Sequence, residues 1–319
     1  LNRFAIGVDI GGTATKFGII ADDGKIIRRL ARDTGRDMGG FLGVLNDGIC
    51  TLFDFAEDRG YNISHIGIAS PGAVNIETGI ILGSCPNIPF LTDVNLKAIV
   101  SCRDIKIFAD NDANAACWAE TVVGVGKGFE NILYITIGTG VGGGIVINGK
   151  LYHGSNYGAA EIGHIIIHPG GRKCGCGNYG CMERYASVPG MIMSAKHILA
   201  RRRSGKLWKI IDGDFSKLTP KLITREFNNG DIVAMEIIDK QAEALAQGVA
   251  GAINLLNPQL LIIGGAISES GRKYIKRLSK AITEKTFPAS NVKLKIRRAK
   301  LGGKAGIVGA AMLGWTVAN

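Results

Sequence analysis

Residues 161–183 hold three thiols, two imidazoles and two carboxylates within 23 positions: Glu161-Ile-Gly-His164, His168, and Cys174-Gly-Cys176-Gly-Asn-Tyr-Gly-Cys181-Met-Glu183. Cys174, Cys176 and Cys181 are soft donors, and one imidazole completes the Cys3His set that zinc takes in closed structural sites. His164 is the preferred fourth ligand; His168, nearer to Cys174 in sequence, is its rival. The interleaved Gly175, Gly177 and Gly180 do not allow the thiols to be buried on a helix or strand, and they suit a chain that wraps an ion. Glu161 and Glu183 compete poorly for such a metal and are left as acceptors for the hydroxyl protons of a polyol.

A second kind of chemistry sits in two glycine-rich turns. Asp9-Ile-Gly-Gly-Thr13 and Thr136-Ile-Gly-Thr-Gly140 each end a strand and precede a returning one. Backbone N–H groups at such tips are unobstructed, so a pair of tips can grip a polyphosphate. Asp9 and Thr13 offer water-mediated magnesium contact, and Thr139 a hydroxyl donor. Phosphoryl transfer also needs a carboxylate to take the proton of the attacking hydroxyl. Asp112, after a buried strand and at a helix start, is the candidate. Asn111, both donor and acceptor, suits a vicinal diol, while Asp110 and Asn111 also have the types of plain turn and cap residues.

Two other patterns fail on physical grounds. Gly138-x-Gly140-x-x-Gly143 matches the dinucleotide fingerprint, but the β-branched Ile145-Val-Ile147 follows where a helix is required. Gly144-x-x-x-x-Gly149-Lys150 continues with Leu151, so it lacks the magnesium ligand of a Walker loop. Asn148-Gly149 reads as a type I′ hairpin turn.

Positioning these groups requires a scaffold. Apolar runs predict strands over 4–9, 16–20, 26–31, 65–69, 105–109, 131–137, 145–147, 260–263 and 293–297. Helical spacing covers 40–57, with Phe41, Leu45, Ile49, Leu52 and Phe53 on one face, and 113–122. A helix-rich stretch spans 188–257, a basic helix 272–285, and an Ala/Gly-rich closing helix 306–313. The strand–tip–strand device recurs about 128 residues on, as an internal duplication gives, so two similar domains with a ligand cleft between them are expected. The expected division is a smaller domain, 1–117 plus 301–319, and a larger one, 118–300, that holds the metal site.

A chain of 319 residues, 46% hydrophobic and 20% charged, has the size and balance of a globular protein with substantial cores. The net charge of +11 fits an anionic nucleotide. Arg201-Arg-Arg203 and Arg297-Arg298 lack interleaved aromatics, so no nucleic-acid partner is expected. No run of 18 apolar residues and no leader pattern is found, giving a soluble, cytoplasmic expectation with no membrane partner. Of seven cysteines, Cys50, Cys85, Cys102 and Cys117 lie scattered among apolar neighbours, which fits a reducing compartment better than a disulfide framework.

Over 7–309 the chain resembles the sugar kinases of the ROK family (repressor, open reading frame, kinase), within the actin-like ATPase superfamily. Asp9-Ile-Gly-Gly-Thr13-Ala-Thr15-Lys16 resembles the first phosphate motif, Gly138-Thr-Gly-Val-Gly-Gly-Gly144 the second, and Asn257-Pro to Gly264-Gly265 the adenosine motif. The resemblance implies an α/β, two-domain actin-like (ribonuclease H-like) ATPase fold with a mixed sheet in each domain. Nucleotide contacts are implied for Asp9, Gly11, Gly12, Thr13, Thr15, Lys16, Gly138, Thr139, Gly140, Gly264 and Gly265.

Asn111-Asp112-Ala-Asn-Ala-Ala116 resembles the catalytic segment, in which Asp112 is the general base. The cysteine loop resembles the family's zinc and sugar segment, which makes His164, Cys174, Cys176 and Cys181 the ligands of a structural zinc. It further implies that Gly72, Asn87, Asn111, Asp112, Glu161, His164 and Glu183 meet the sugar. Ala73-Val74-Asn75 departs from the Pro-Val-Asp of many members. ATP, Mg2+ and Zn2+ are the implied cofactors, a homodimer or homotetramer the implied assembly, and transfer to the 6-hydroxyl of glucose the leading activity. Mannose, allose, N-acetylmannosamine and N-acetylglucosamine are the alternatives. Regulators in the family carry a DNA-reading helical domain before the first phosphate motif; with six residues before Gly7, the expectation is a kinase.

Overall fold

The computed structural model describes residues 3–83, 85 and 88–316. From the N-terminus, β1 (Phe4–Ile10), β2 (Ala14–Ala21) and β3 (Ile26–Asp33) are followed by α1 (Met38–Asp58) and β4 (Ile63–Ser70). A small hairpin, β5 (Ala73–Val74) and β6 (Ile81–Leu82), precedes β7 (Ile107–Asn111) and α2 (Asp112–Val122). The sheet order is β3-β2-β1-β4-β7. β1, β2 and β3 pair antiparallel, while β1–β4 and β4–β7 are parallel.

The second half repeats this plan. β8 (Ile132–Ile137), β9 (Val141–Ile147) and β10 (Lys150–Leu151) are followed by α3 (Glu183–Ala186), α4 (Val188–Arg202), α5 (Gly205–Ile211), α6 (Pro220–Asn228) and α7 (Ile232–Leu256). β11 (Leu260–Gly264), α8 (Arg272–Lys285), α9 (Pro288–Asn291), β12 (Lys295–Arg298) and α10 (Ala305–Thr316) complete the chain. The order β10-β9-β8-β11-β12 is the first sheet's order restated. In both sheets a three-stranded meander is extended from its first strand by two strands further along the chain, with the added pairings parallel. The duplication read from the two tips is therefore a duplication of topology.

Contacts divide the chain into two compact units: Leu1–Glu130 with Gly144–Ala160 and Gly303–Asn319, and Asn131–Gly143 with Glu161–Gly302. In the first unit, α1 covers one face of the sheet. Asp37 caps it by accepting from the Gly40 amide at 2.8 Å. Its Phe41, Leu45, Ile49 and Leu52, at helical spacing, are all fully buried with Val8, Phe17 and Ile19. Each such side chain contributes about 1.5–3 kcal/mol through burial.

α2 and α10 pack on each other and belong to the same unit, and here small residues rule: Ala69, Ala115 and Ala310 form the buried contact. A Cβ on Gly67 would lie 1.8 Å from the Ala310 carbonyl oxygen, so glycine there is what lets α10 approach β4 so closely. The closeness fixes the base on which β7 and α2 stand. The second unit's α8 buries Tyr274, Leu278 and Ile282 at four-residue spacing and leaves its basic residues outward.

Candidate functional site

In the first unit the candidate groups gather beyond the C-terminal ends of β1, β4 and β7, where α/β sheets present their ligand sites. Asp110 and Asn111 end β7, and Asp112 opens α2. Asn111 is the N-cap: its Oδ1 accepts from the Ala113 amide at 2.9 Å and the Asn114 amide at 3.2 Å. Its Nδ2 donates to the Gly72 carbonyl at 3.0 Å, leaving a second Nδ2 hydrogen for a ligand. Of the two roles weighed for Asn111, the cap is the one these bonds show. Asp112, half-buried, accepts from the Ala113 amide at 2.8 Å. Its charge reaches the buried Cys85: burial first, and Asp112 in addition, push that thiol up against the weaker effect of the Ile88 backbone bond.

The first glycine tip is braced from below. Thr15 is fully buried, and its hydroxyl lies 3.0 Å from that of Thr34, which donates to the Gly11 carbonyl at 2.6 Å. Thr15, expected among the phosphate-contacting residues, has its hydroxyl in the bonding that supports the tip. Gly12 and Thr13 are exposed, and Lys16 pairs with Asp9 at 3.2 Å. Asp9 therefore stands as an oxygen donor at the tip with a cation beside it.

In the second unit, Gly138 and Gly140 close the other tip through a 2.9 Å backbone bond, and Thr139 is exposed. The Glu183 Oε2 accepts from the Val141 amide at 3.0 Å, which ties a candidate sugar ligand to the candidate phosphate tip. A Cβ on Gly163 would sit 2.1 Å from the Val141 carbonyl oxygen. The glycine of Glu161-Ile-Gly-His164 is thus a steric requirement for seating that turn against the tip. Gly264 lies against the Tyr134 ring, and Gly265, at φ 79°, lies against the Ile137 backbone, so the adenosine-like loop rests on β8.

The cysteine loop folds back on itself through bridges between Ile166 and Cys181 and between Lys173 and Tyr179. This brings ligand atoms of His164, Cys174, Cys176 and Cys181 within 4.8 Å of one another, a set that can hold a metal ion. The His164 Nδ1 faces the Cys174 sulfur at 3.6 Å, and its Nε2 faces the Glu161 carboxylate at 3.8 Å. His168 is exposed and stacks on the Tyr185 ring at 5.7 Å, outside the cluster.

Cys181 is pushed up to about 12 by burial, then by hydrogen bonding to and charge on Cys176 and Cys174. For Cys176, slight burial works against ionisation, but hydrogen bonds from the Asn178 backbone and the neighbouring thiols outweigh it and lower its value. A cation held by these sulfurs would displace their protons. Glu161 is raised by partial burial, with His164 opposing and Glu183 adding to the rise.

Several expectations need correction or lie elsewhere. Cys50 and Cys102, read as scattered thiols of a reduced chain, form a disulfide with Cα atoms 5.9 Å apart. Cys50 on α1 is partly buried and meets Cys102 of the segment before β7, a juxtaposition that a sequence separation of 52 concealed. Asn87 falls outside the described residues. A cavity of about 680 Å3 lined by Tyr185, His197, Arg201, Lys240 and their neighbours contains none of the expected site residues. Sequence reasoning missed Thr34 and His153. The His153 Nε2 lies 2.8 Å from the Asp110 carboxylate, and no periodicity or motif marked either residue.

Paired sheets of this order, each with a glycine-rich tip after its first strand, define the actin-like ATPase class of fold. The ROK family profile matches residues 5–316, and the chain belongs to that family. It is 34% identical over 309 residues to a glucokinase of Thermotoga maritima, covering 97% of this chain and 96% of the relative. A crystal structure of a ROK family glucokinase from Streptomyces griseus in complex with glucose and AMPPNP superposes with a TM-score of 0.84 at 32% identity, over 97% of this chain and 98% of that one. A xylose repressor of Caldicellulosiruptor bescii is 31% identical, over 86% of this chain and 68% of the relative. No helix among the described residues is long and apolar enough to cross a membrane.

Proposed function

We propose that this chain is an ATP-dependent hexose kinase that phosphorylates glucose on its 6-hydroxyl. Asp112 takes the hydroxyl proton as the oxygen attacks the γ-phosphorus in line. Gly72 and Asn111 from the first unit, and Glu161, His164 and Glu183 from the second, bind the sugar hydroxyls. Asp9, Gly11, Gly12, Thr13, Lys16, Gly138, Thr139, Gly140, Gly264 and Gly265 receive the nucleotide. Glu183 has one carboxylate oxygen anchored to the Val141 amide, and Asn111 is anchored to backbone through both Oδ1 and Nδ2 with one Nδ2 hydrogen left for a ligand, an arrangement that holds a ligand-binding side chain in a fixed pose.

Mg2+, with Asp9 as its protein-side oxygen through water, supplies neutralisation of the phosphate charge when bound. The Cys3His donor set fits zinc in a closed, structural site, since all four positions come from the protein. Bound there, zinc fixes the loop that carries Glu161 and Glu183. The kinase acts in the cytoplasm as a homodimer or homotetramer.

The observation that carries the reading is Asp112 as the first residue of α2, a helix that Asn111 caps from the end of β7, in a chain that aligns with a glucokinase over almost its whole length. ADP release measured across glucose, mannose, allose, N-acetylmannosamine and N-acetylglucosamine tests it. Glucose gives the highest kcat/KM. Turnover of none of the five refutes the kinase reading, and a higher kcat/KM for another sugar refutes glucose as the substrate.

A further inference from the structure

We infer that His153 is a positioning residue for phosphoryl transfer: it holds Asp110, and through Asp110 the turn that aims Asp112. The inference rests on the kinase reading for its catalytic consequence and on geometry alone for the latch itself. Asp110 is a carboxylate at the end of β7 with only 2% of its surface exposed. Its Oδ1 accepts from the Asn111 amide at 2.7 Å and the Asn114 Nδ2 at 3.1 Å, so one oxygen grips both flanks of Asp112. Its Oδ2 accepts from the His153 Nε2 at 2.8 Å. A buried carboxylate oxygen stripped of its donor is costly, and the group then turns or drags its neighbours to find another.

His153 is itself well held. The Asn148-Gly149 turn, with φ of 50° and 73°, returns β9 into β10, and the Tyr152 amide then donates to the Ile145 carbonyl at 2.8 Å. The Ala159 amide donates back to the His153 carbonyl at 3.1 Å, which closes 153–159 into a compact loop. The phenol of Tyr157 in that loop is raised by desolvation and then by the Glu77 carboxylate, in the turn between β5 and β6. Two residues after Ala159 the chain reaches Glu161. One imidazole thus ties the segment that leads to a proposed sugar ligand to the segment that carries the proposed base. The imidazole is only 15% exposed, so the bond is shielded from competing water.

Gln is the informative replacement, because its Nε2 stands as far along the side chain as the imidazole Nε2, whereas Asn is too short and Leu cannot donate. The experiment compares His153→Gln, His153→Asn and His153→Leu with the parent chain in glucose phosphorylation and in hydrogen–deuterium exchange of the peptide spanning 110–116. Expected is a fall in kcat of roughly 10- to 100-fold for Asn and Leu, the size of effect that a small misplacement of a catalytic group produces. The KM for ATP stays within about twofold. Gln restores most of kcat, and exchange in 110–116 speeds up for Asn and Leu but not for Gln.

A kcat within twofold of the parent for both Asn and Leu overturns the inference, as does equal impairment of Gln and Leu. Should Leu fail to fold, the Gln–Asn pair decides by the same criteria. A parent chain inactive on every sugar sinks the kinase reading, and the exchange comparison then still judges the latch. Unchanged exchange in an active parent and its variants sinks the latch alone.

Discussion

Replacing Asp112 by Asn exchanges one oxygen for an amide nitrogen, and the surrounding bonds separate its structural from its chemical consequences. The cap of α2 is Asn111, which keeps its bonds to the Ala113 and Asn114 amides in the variant. The new amide retains an oxygen for the Ala113 amide, now 2.8 Å from Asp112 Oδ1. The negative charge lost from the first helical turn accounts for about 0.3–1 kcal/mol. At roughly 2–4 °C per kcal/mol for a sizeable domain, that charge accounts for a fall in Tm of about 4 °C at most. Loss of the proton acceptor costs about 10^2- to 10^4-fold in kcat, or roughly 2.7–5.5 kcal/mol on the barrier. The catalytic loss therefore exceeds the stability loss several-fold. The assay is coupled ADP release at saturating ATP and glucose, with glucose binding followed by calorimetry and Tm by scanning fluorimetry. A variant that keeps a tenth or more of kcat while folded removes Asp112 as the base. Asn111→Ala is the contrasting control: losing the cap costs about 0.5–2 kcal/mol of stability.

Metal analysis of the purified chain finds about one zinc per chain. Cys181→Ser loses more than half of it, with a higher glucose KM because the Glu161–Glu183 loop is no longer braced; a metal-free chain of full activity refutes this. The buried His65 is lowered chiefly by burial, helped by Lys106 and Arg3 and opposed by its bond to the Ala311 backbone. The unfolded chain thus takes up the proton first, near pH 6.5. Stability then falls as pH drops from there to the lower folded-state value. In Tm measured against pH, His65→Gln removes that part of the slope; parallel curves refute it. Thiol titration of the unreduced, denatured, metal-free chain counts the five cysteines outside the Cys50–Cys102 bond, and all seven after reduction. Replacing both bonded cysteines by Ala lowers stability by roughly 4 kcal/mol, as expected for a loop of this length; an unchanged Tm refutes a stabilising bond.

Sequence periodicity located the longer strands and α1, α2, α8 and α10, where local signals and tertiary demand agree, but it left α4 to α7 as one helix-rich stretch and did not mark β5, β6, α3 or α9. The spacing of Phe41, Leu45, Ile49 and Leu52 marks the face that α1 buries. The strand–tip–strand repeat reveals the duplicated sheets, since a glycine tip followed by a β-branched run has few other ways to fold. The candidate donor cluster was legible in its three cysteines, while spacing left His164 and His168 as rivals for the fourth place; the structure gathers His164 with the thiols within 18 residues of chain. What stayed hidden depends on partners far apart in sequence. Asp110 and His153 are 43 residues apart, Cys50 and Cys102 52, and Thr15 and Thr34 19 across a sheet register. Pairing at such range follows from topology rather than pattern. Thr15 was legible only in part: a motif names the residues of a tip, but strand alternation decides which of them are buried, as Thr15 is.

The duplication also explains why the two halves carry different chemistry on one plan. Each sheet offers a tip after its first strand and a loop after its fourth. In the first unit the tip is braced internally by Thr15 and Thr34, while Gly72 lies after β4, Asn111 ends β7 and Asp112 opens α2. In the second the tip is braced by Glu183 through Val141, and by the Val188 amide on the Gly138 carbonyl at 2.9 Å. The brace there is itself a candidate ligand, so any change that frees Glu183 from Val141 disturbs phosphate and sugar contacts together. Glu183→Gln, which keeps an oxygen for the Val141 amide, should therefore spare the KM for ATP more than Glu183→Ala does. A sugar-only role for Glu183 requires the two variants to have the same KM for ATP.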